Sequence, residues 1–560
     1  MIFSSPKTRT IFIVIFLVAT ILRLWSLSSA DMFNDEVYYG LRSIGYIDYV
    51  GLTTQTTPID WFDPLPKWTR LSFHDHPPLV FFIQHIFFSL FGVSVFVTRL
   101  PFVLAGLISI FLIFIISKKL FDERTALVAS ALAAILSLSV WVSRLALMES
   151  MVIMLILIAW YLFLKVLEDK KYFYYWGAVI GLCFLAKYTT FPILIVFLIY
   201  LAVYKRQVFK NYRIYLSLLL ALVIFSPVLI YNILLFQNTG HFDLQIAAFL
   251  NQDVPEWQTL TDKISGGPID NFLAIGPGLL GAFSPASLTL LILAVFFSLV
   301  KWLKRKESSP FLLVLFLAFY FLLFIAIKSP PRFITLIFPF VVILIAYCLT
   351  AVWNNTDGVK NIFLGIGIAL FFIYELFFSI NTNLTIISYG LPNITFSMVR
   401  PFSSDFAVSK LDKYLTDELS GTTSAVIPQS GNNFLDEFIA NRANKVDLSK
   451  TPAYTLFVYD TRLSEIVTLW LFERRFIYDA IPTTYSDDFM KLLDAKGQNT
   501  FNNYNIYYIT GTTFAQWRQA YAVKTQSIEL ENRLISQGLE PDIIYNNSNV
   551  PIFKVYKFSF

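Results

Sequence analysis

Apolar runs close to the ~20 residues needed to cross a bilayer recur along the first 380 positions, separated by short polar clusters. They predict eleven spanning helices, near 11–29, 99–117, 125–142, 150–167, 173–188, 190–204, 214–236, 285–303, 311–328, 333–352 and 362–380. The fifth and sixth runs are short and separated only by Tyr188-Thr189, so a bent hairpin is the other reading of that pair. Residues 78–92 are apolar but too short to span and hold Gln84 and His85; an interfacial helix lying in the membrane plane is expected there. Beyond about residue 380 the pattern changes. Alternating stretches such as Thr455-Leu456-Phe457-Val458-Tyr459, Asn505-Ile506-Tyr507-Tyr508-Ile509 and Ile552-Phe553-Lys554-Val555-Tyr556 read as strands, with helical stretches at 406–419 and 515–537 between them. The fold expected is an α-helical polytopic membrane protein with a C-terminal external α/β domain. Residues 1–380 form the transmembrane domain, with external loops 30–98 and 237–284, and 381–560 form the external domain.

Composition agrees with lipid as the solvent. The chain is 56% hydrophobic and 14% charged, with mean hydropathy +0.63, whereas soluble domains carry about 25% charged residues. Aromatic residues reach 17%, which suits lipid-facing helices and interfacial belts. The net charge of +5 is spread along the chain, and without a basic patch nucleic acid is not an expected partner. Cys183 and Cys348 both lie in apolar runs, so no disulfide framework is indicated.

The basic clusters fix the expected orientation. Lys7/Arg9, Lys118/Lys119/Arg124, Lys165/Lys170/Lys171, Lys205/Arg206/Lys210/Arg213, Lys301/Lys304/Arg305/Lys306 and Lys360 all fall on one side of an eleven-span arrangement. The positive-inside rule makes that side cytoplasmic. The N-terminus is then cytoplasmic and the segments 30–98, 237–284 and 381–560 are external. A twelfth span at 78–92 would scatter these clusters. Lys7/Arg9, the first apolar run and Ser28-Ser29-Ala30 also have the form of a cleavable signal peptide; retention as the first span is the expectation adopted.

Several charged residues sit at external span ends. Asp35 and Glu36 follow the first span, among Tyr38 and Tyr39. A carboxylate at a membrane mouth is suited to act as a base, although a solvated loop start gives the same pattern. His74-Asp75-His76 lacks the further spaced ligands of a zinc site, so no metal site is assigned and no cofactor is required; a divalent metal stays open. Arg144 and Glu149 lie five residues apart at the junction of two spans, as an interfacial ion pair or as functional charges. Lys187, Lys328 and Arg332 are cations on the external side, against the positive-inside trend. Snorkelling to headgroups accounts for each alone. Together with Arg144 they could converge on a phosphate, Arg through its planar fork and Lys as a point charge. No nucleotide-binding fingerprint is present.

In order and spacing, Asp35-Glu36, His76-Pro77-Pro78-Leu79, Gly92 with Arg99-Leu100-Pro101, Ser143-Arg144 with Glu149, and Lys328 with Arg332 and Pro339 resemble the GT-C superfamily. The resemblance covers roughly the first 350 residues and is to the dolichyl-phosphate-mannose protein mannosyltransferase family and its bacterial aminoarabinose-transferase relatives. It implies a GT-C-like transmembrane catalytic domain that moves a sugar, with inversion, from a polyprenyl-phosphate donor to a protein, lipid or glycan acceptor at the external face of the plasma membrane. It implies Asp35 as catalytic carboxylate, Glu36 as the second choice, and Glu149 as the acid of the Arg-x4-acid element, where the family more often has Asp. Arg144, Lys187, Lys328, Arg332, His76, Tyr38 and Tyr39 are implied to bind donor phosphate or acceptor. Phe333 stands where the family's Tyr would be, and Tyr38-Tyr39 stand where aminoarabinose transferases tend to have Arg. Asp35, Glu149 and the cations are expected around one outward-facing cavity.

A multi-span transporter or lipid flippase is the alternative function. It would bring repeats and midspan charges, whereas here no repeat is seen and the charges cluster at span ends. A non-catalytic scaffold leaves the acid pair and the external cations unexplained. A polysaccharide polymerase or ligase would use a diphosphate donor.

Overall fold

The computed structural model describes residues 3–32, 34–51, 55–257, 267–402, 405–419, 427–443, 454–512 and 526–560. The chain forms two compact units. One comprises Met1–Leu27 and Trp68–Ser403, the other Ser28–Lys67 and Ser404–Phe560.

The first unit is helical, and a helix occupies each of the eleven expected stretches. Among the described residues seven helices are long and apolar enough to cross a membrane: Val95–Leu120, Met148–Glu168, Tyr212–Thr239, Pro285–Arg305, Ser308–Ile327, Pro331–Trp353 and Val359–Asn383. The pair Glu123–Ile135 and Ser137–Arg144, bent by 57°, makes an eighth if taken as one broken span. The protein is an integral membrane protein. The difference from eleven has local causes. Helix Pro6–Leu24 carries Lys7, Arg9 and Arg23, and helices Phe173–Ala186 and Phe191–Tyr204 have 14 residues each, about 21 Å at 1.5 Å per residue. Helix Leu79–Phe91 is apolar and short, as expected for 78–92.

Side chains close the helix ends. Ser94, Asp122, Asn211 and Ser284 each accept from a backbone N–H of the first turn, as N-caps do. The break at Leu136 strands carbonyls inside the helical layer, and unsatisfied groups there cost several kcal/mol each. The buried Arg23 guanidinium fills the break, donating to the carbonyls of Ala133 (3.2 Å) and Ala134 (3.0 Å) and to Ser139 Oγ (2.9 Å) and Ser143 Oγ (3.2 Å).

Close backbone approach positions the helix that carries Lys187. A Cβ on Gly177 or Gly181 of helix Phe173–Ala186 would lie 2.2 Å from the Ser217 carbonyl oxygen or 2.8 Å from that of Ala221 on helix Tyr212–Thr239. Small residues spaced by four permit such contact where lipid supplies no hydrophobic drive. An aromatic core lies alongside: Phe163 stacks on Phe197 at 4.3 Å, Phe316 stacks on Phe340 at 4.4 Å, and Trp160 meets both Phe316 (5.1 Å) and Phe340 (5.5 Å). At the far end of helix Met148–Glu168, exposed pairs such as Lys165–Glu168 (3.2 Å) and Lys171–Asp169 (3.0 Å) partly neutralise the basic clusters.

The second unit is a mixed five-stranded sheet with flanking helices. Its strands are β1 (Tyr454–Tyr459), β2 (Thr483–Tyr485), β3 (Tyr504–Gly511), β4 (Asp542–Tyr545) and β5 (Pro551–Phe558), in the order β2-β1-β3-β5-β4. β1 is parallel to β2 and β3, and β5 is antiparallel to β3 and β4. Leu456, Val458, Ile506 and Tyr508 pack with Phe489, Met490, Leu530 and Leu534 of helices Ser486–Lys496 and Gln526–Ser536. The three expected strands and the helix expected at 406–419 (Val408–Glu418) are present. Of the stretch 515–537, Gln526–Ser536 is helical and 515–525 lie outside the described residues, as do 258–266 of the loop 237–284.

The division between units falls elsewhere than at residue 380. Residues 28–67, expected as a loop of the first domain, fold with the C-terminal segment, while 381–403 stay with the helices. Helix Asn34–Gly45 buries Val37, Tyr39, Leu41 and Ile44, and an apolar face of that kind requires a partner. The Tyr478 hydroxyl donates to the Leu41 carbonyl (2.7 Å) and Asn432 Nδ2 to that of Ile59 (3.2 Å). The Asp31 carboxylate accepts from the N–H groups of Phe406 (2.7 Å) and Ser409 (2.9 Å) at the start of helix Val408–Glu418.

Candidate active site

In the first unit, Glu149 opens helix Met148–Glu168 and Lys187 closes helix Phe173–Ala186. These antiparallel neighbours bring Lys187 Nζ to 2.5 Å from Glu149 Oε1, with both side chains buried (7% and 1% exposed). The helix N-terminus favours the carboxylate. The next turn is fixed as well, since Thr190 Oγ1 donates to the Lys187 carbonyl at 2.8 Å. The Lys187 ammonium also lies 5.0 Å from the centre of the Phe333 ring, over its face, and the Arg332 guanidinium lies 5.1 Å from the same ring. One aromatic ring thus gathers two cations that are 145 positions apart. Each such contact is worth roughly 0.5–2 kcal/mol, depending on desolvation. Phe333 needs no hydroxyl for this. Lys328, half-buried, caps helix Ser308–Ile327 with a positive φ of 70°, four residues before Arg332.

Arg144 is placed otherwise than the expected convergence on a phosphate. It is buried, and Nη1 donates to the carbonyls of Leu22 (2.9 Å), Arg23 (3.3 Å) and Trp25 (2.8 Å), with Nη2 3.4 Å from that of Ser26. These are the carbonyls a helix end leaves without partners, so Arg144 caps helix Pro6–Leu24. Arg99 does the same one step on, donating to the Leu27 carbonyl at 2.7 Å. His76 is buried, with Nδ1 3.1 Å from Asp75 Oδ2. Among the described residues no three His, Cys, Asp or Glu side chains are grouped as metal ligands.

A second polar cluster adjoins Lys187. The Tyr188 hydroxyl donates to Asp243 Oδ2 (2.5 Å), as does Asn232 Nδ2 (2.9 Å), while Asp243 N donates to Asn232 Oδ1 (2.9 Å). Asp243 Oδ1 caps helix Leu244–Phe249 through Gln245 N and Ile246 N. Burial raises the Asp243 carboxyl above the usual carboxylate range, against these hydrogen bonds. Leu244 N donates to the His74 carbonyl (2.7 Å), and the Trp257 ring lies 5.6 Å from His74 and 5.0 Å from His241. Sequence reading missed this cluster. The cap spacing of Asp243 was visible, but its pairing with Tyr188, 55 positions away, was not.

In the second unit, Asp35 and Glu36 lie in the first turn of helix Asn34–Gly45, Asp35 half-buried and Glu36 fully buried. The Tyr38 hydroxyl donates to Glu465 Oε2 at 3.3 Å. Burial, then the charge of Glu465, pushes the Tyr38 hydroxyl well above its ordinary pKa. Tyr39 is buried. Arg42 ties this helix together, donating from Nε to the Tyr38 carbonyl (3.3 Å) and pairing with Asp48 (3.4 Å).

Against this geometry the known proteins can be compared. Residues 75–231 match the family model of the dolichyl-phosphate-mannose-protein mannosyltransferases, a stretch that includes His76, Arg144, Glu149 and Lys187. YycA of Bacillus subtilis (strain 168), which carries a provisional mannosyltransferase name, is 32% identical over 155 residues, 27% of this chain and 22% of that protein. The structure of ArnT from Cupriavidus metallidurans in the apo state aligns over 98% of both chains, with TM-score 0.54 and 15% identity. The chain has the GT-C fold. ArnT bound to undecaprenyl phosphate aligns over 97% of this chain and 98% of that one (TM-score 0.52, 14% identity). The Archaeoglobus fulgidus oligosaccharyltransferase in complex with zinc and sulfate aligns over 97% and 72% (0.51, 14%). Both units are thus included in the GT-C alignment.

Proposed function

We propose that this protein is a glycosyltransferase that moves a hexosyl or pentosyl group, with inversion, from a polyprenyl-phosphate donor to a protein, lipid or glycan acceptor. The helix ends bearing Glu149, Lys187 and Arg332 face the outside, and the N-terminus faces the cytoplasm. The observation that carries the reading is the gathering of Lys187 and Arg332 on the Phe333 ring, with Glu149 fixing the ammonium. Two cations at an apolar helix end suit a monoanionic lipid phosphate whose tail partitions between helices. A structural relative that holds undecaprenyl phosphate supports the donor class.

In the proposed step the bond from the anomeric carbon to the phosphate oxygen breaks, and the polyprenyl phosphate leaves with the electron pair. Lys187 and Arg332, with Lys328, stabilise the charge that develops there. The anomeric carbon gains oxocarbenium character and forms its new bond to the acceptor oxygen from the opposite face. The Asp35 carboxylate takes the acceptor's proton, with Glu36 as the neighbouring acid. Asp35 is assigned on the resemblance of the acid pair. Glu149 is assigned to holding Lys187, and Arg144 to holding the first helix, by the contacts they make.

The test is sugar release in proteoliposomes from a panel of radiolabelled polyprenyl-phosphate sugars, with membrane extract as acceptor source. Consumption of one donor by the wild type, reduced about 10²-fold or more in Asp35→Asn, is expected. Failure to consume any donor would overturn the proposal in favour of a transporter.

A further inference from the structure

Helix Val359–Asn383 ends at Asn383, but the chain that follows does not read as a water-facing loop. Residues 384–400, LTIISYGLPNITFSMVR, hold a single charged residue, Arg400. The large side chains turned outward are Ile386, Ile387 (66% exposed), Tyr389, Leu391 (63%), Ile394 and Met398. They continue the exposed apolar surface of the preceding helix, where Phe363, Leu370 and Ile373 face outward. Surface loops in water are ordinarily polar and leave much of their backbone to solvent.

Part of this backbone is instead held from within, and the rest is left to its surroundings. Asn381, buried in the last helical turn, donates from Nδ2 to the carbonyls of Tyr389 (2.8 Å) and Thr395 (2.9 Å) and accepts from Tyr389 N (2.9 Å). Thr395 Oγ1 donates to the carbonyls of Tyr389 (2.7 Å) and Leu391 (2.9 Å). Arg400 Nη2 donates to those of Thr385 (2.8 Å) and Ile386 (2.6 Å), and its Nη1 binds Ser388 Oγ. Ser397 N donates to Thr382 Oγ1 (2.9 Å) and Asn393 N to the Phe396 carbonyl (2.7 Å). Gly390 takes a positive φ of 87°, and the Thr395 side chain occupies the place of its missing Cβ. Irregular backbone with open polar groups is excluded from the hydrocarbon core, so the groups left open belong at the headgroup level, within reach of water.

The loop also folds back along the span. The Tyr374 hydroxyl donates to the Ile394 carbonyl at 2.6 Å. Tyr374 lies nine residues before the helix end, ~13 Å along the axis at 1.5 Å per residue, and helical side chains lean further toward the N-terminus.

We propose that residues 384–400 form an interfacial segment seated at the headgroup–acyl boundary of the bilayer at this helix end, with the upper acyl chains as the partner of its apolar side chains. Arg400, half-buried at the close of the segment, marks the return to the headgroup level. The single charge, the outward-turned apolar side chains and their continuity with the apolar surface of the helix together point to a partner that offers no hydrogen bonds to them.

The test is a depth measurement on the full chain in proteoliposomes, with Cys183 and Cys348 replaced by alanine. A bimane label is placed at Leu391→Cys, with Phe363→Cys as the lipid reference and Lys491→Cys, on the second unit, as the water reference. A label ~5–10 Å below the headgroups lies within reach of acyl-chain bromines, which should quench it as they do at Phe363, while aqueous iodide has little effect. Quenching by iodide as at Lys491 would overturn the proposal. So would a label reached by neither quencher, which would mean that protein covers the loop.

Discussion

Replacing Glu149 by glutamine keeps the shape of the Lys187 site and removes its negative charge. The pair is buried, with 1% and 7% of the side chains exposed and 2.5 Å between Nζ and Oε1. Taking away one partner of a buried pair strands the other charge at a cost of about 3–5 kcal/mol, whereas removing both is often nearly neutral. Glu149→Gln and Lys187→Met should therefore each destabilise the protein by that amount, and the double variant should recover most of it. Unfolding of the purified protein in mixed micelles reads the stability, and the four forms make a double-mutant cycle. Turnover separates two roles for the lysine. If Lys187 stabilises the leaving phosphate, both forms that carry Met at this position lose about 10²–10³-fold in donor turnover, and the double variant stays inactive although its stability returns. Recovery of turnover in the double variant would refute the reasoning, because Lys187 would then serve only to neutralise Glu149.

Three further outcomes are expected. Arg144→Met should cost at least about 3 kcal/mol of stability through its lost charged hydrogen bonds, while turnover per folded molecule holds; a stable variant with reduced turnover would return Arg144 to the phosphate. Glu36→Gln, beside Asp35, should lower donor turnover less than Asp35→Asn does; equal losses in the same proteoliposome assay would count against Asp35 as the base. Burial, beside Tyr49 and Tyr459, pushes the Glu473 carboxyl up to about 7. The folded form therefore binds this proton more tightly than the unfolded form, and the stability it lends at low pH is lost as pH rises through about 7. Glu473→Gln should flatten that slope and gain up to about 3 kcal/mol at pH 8; identical pH profiles of the unfolding midpoint would contradict it.

Part of the site could be read from the sequence because it depends on position along the chain. Lys187, Lys328 and Arg332 stand out as cations at helix ends opposite the basic clusters, and Asp35-Glu36 as acids after an apolar run. What each charge touches was not legible. Arg144 and Lys187 have the same signature, a cation at a span end, yet one caps the carbonyls of a helix more than a hundred positions earlier and the other meets an acid 38 positions earlier. Phe333 reads as the loss of a hydroxyl, and its ring turns out to be what gathers two cations.

The sequence by itself determined the membrane helices, the short apolar helix within 78–92 and the central strands of the second unit, because apolar runs and alternation act on each segment whatever its neighbours are. The tertiary structure alone decided that 28–67 fold with the C-terminal sheet, that Arg23 fills the break at Leu136, and that 384–400 turn back along their own helix. In each case a backbone carbonyl or an apolar face is left without a partner locally. Which distant residue supplies the partner depends on how the helices and strands pack, and hydropathy carries no record of that.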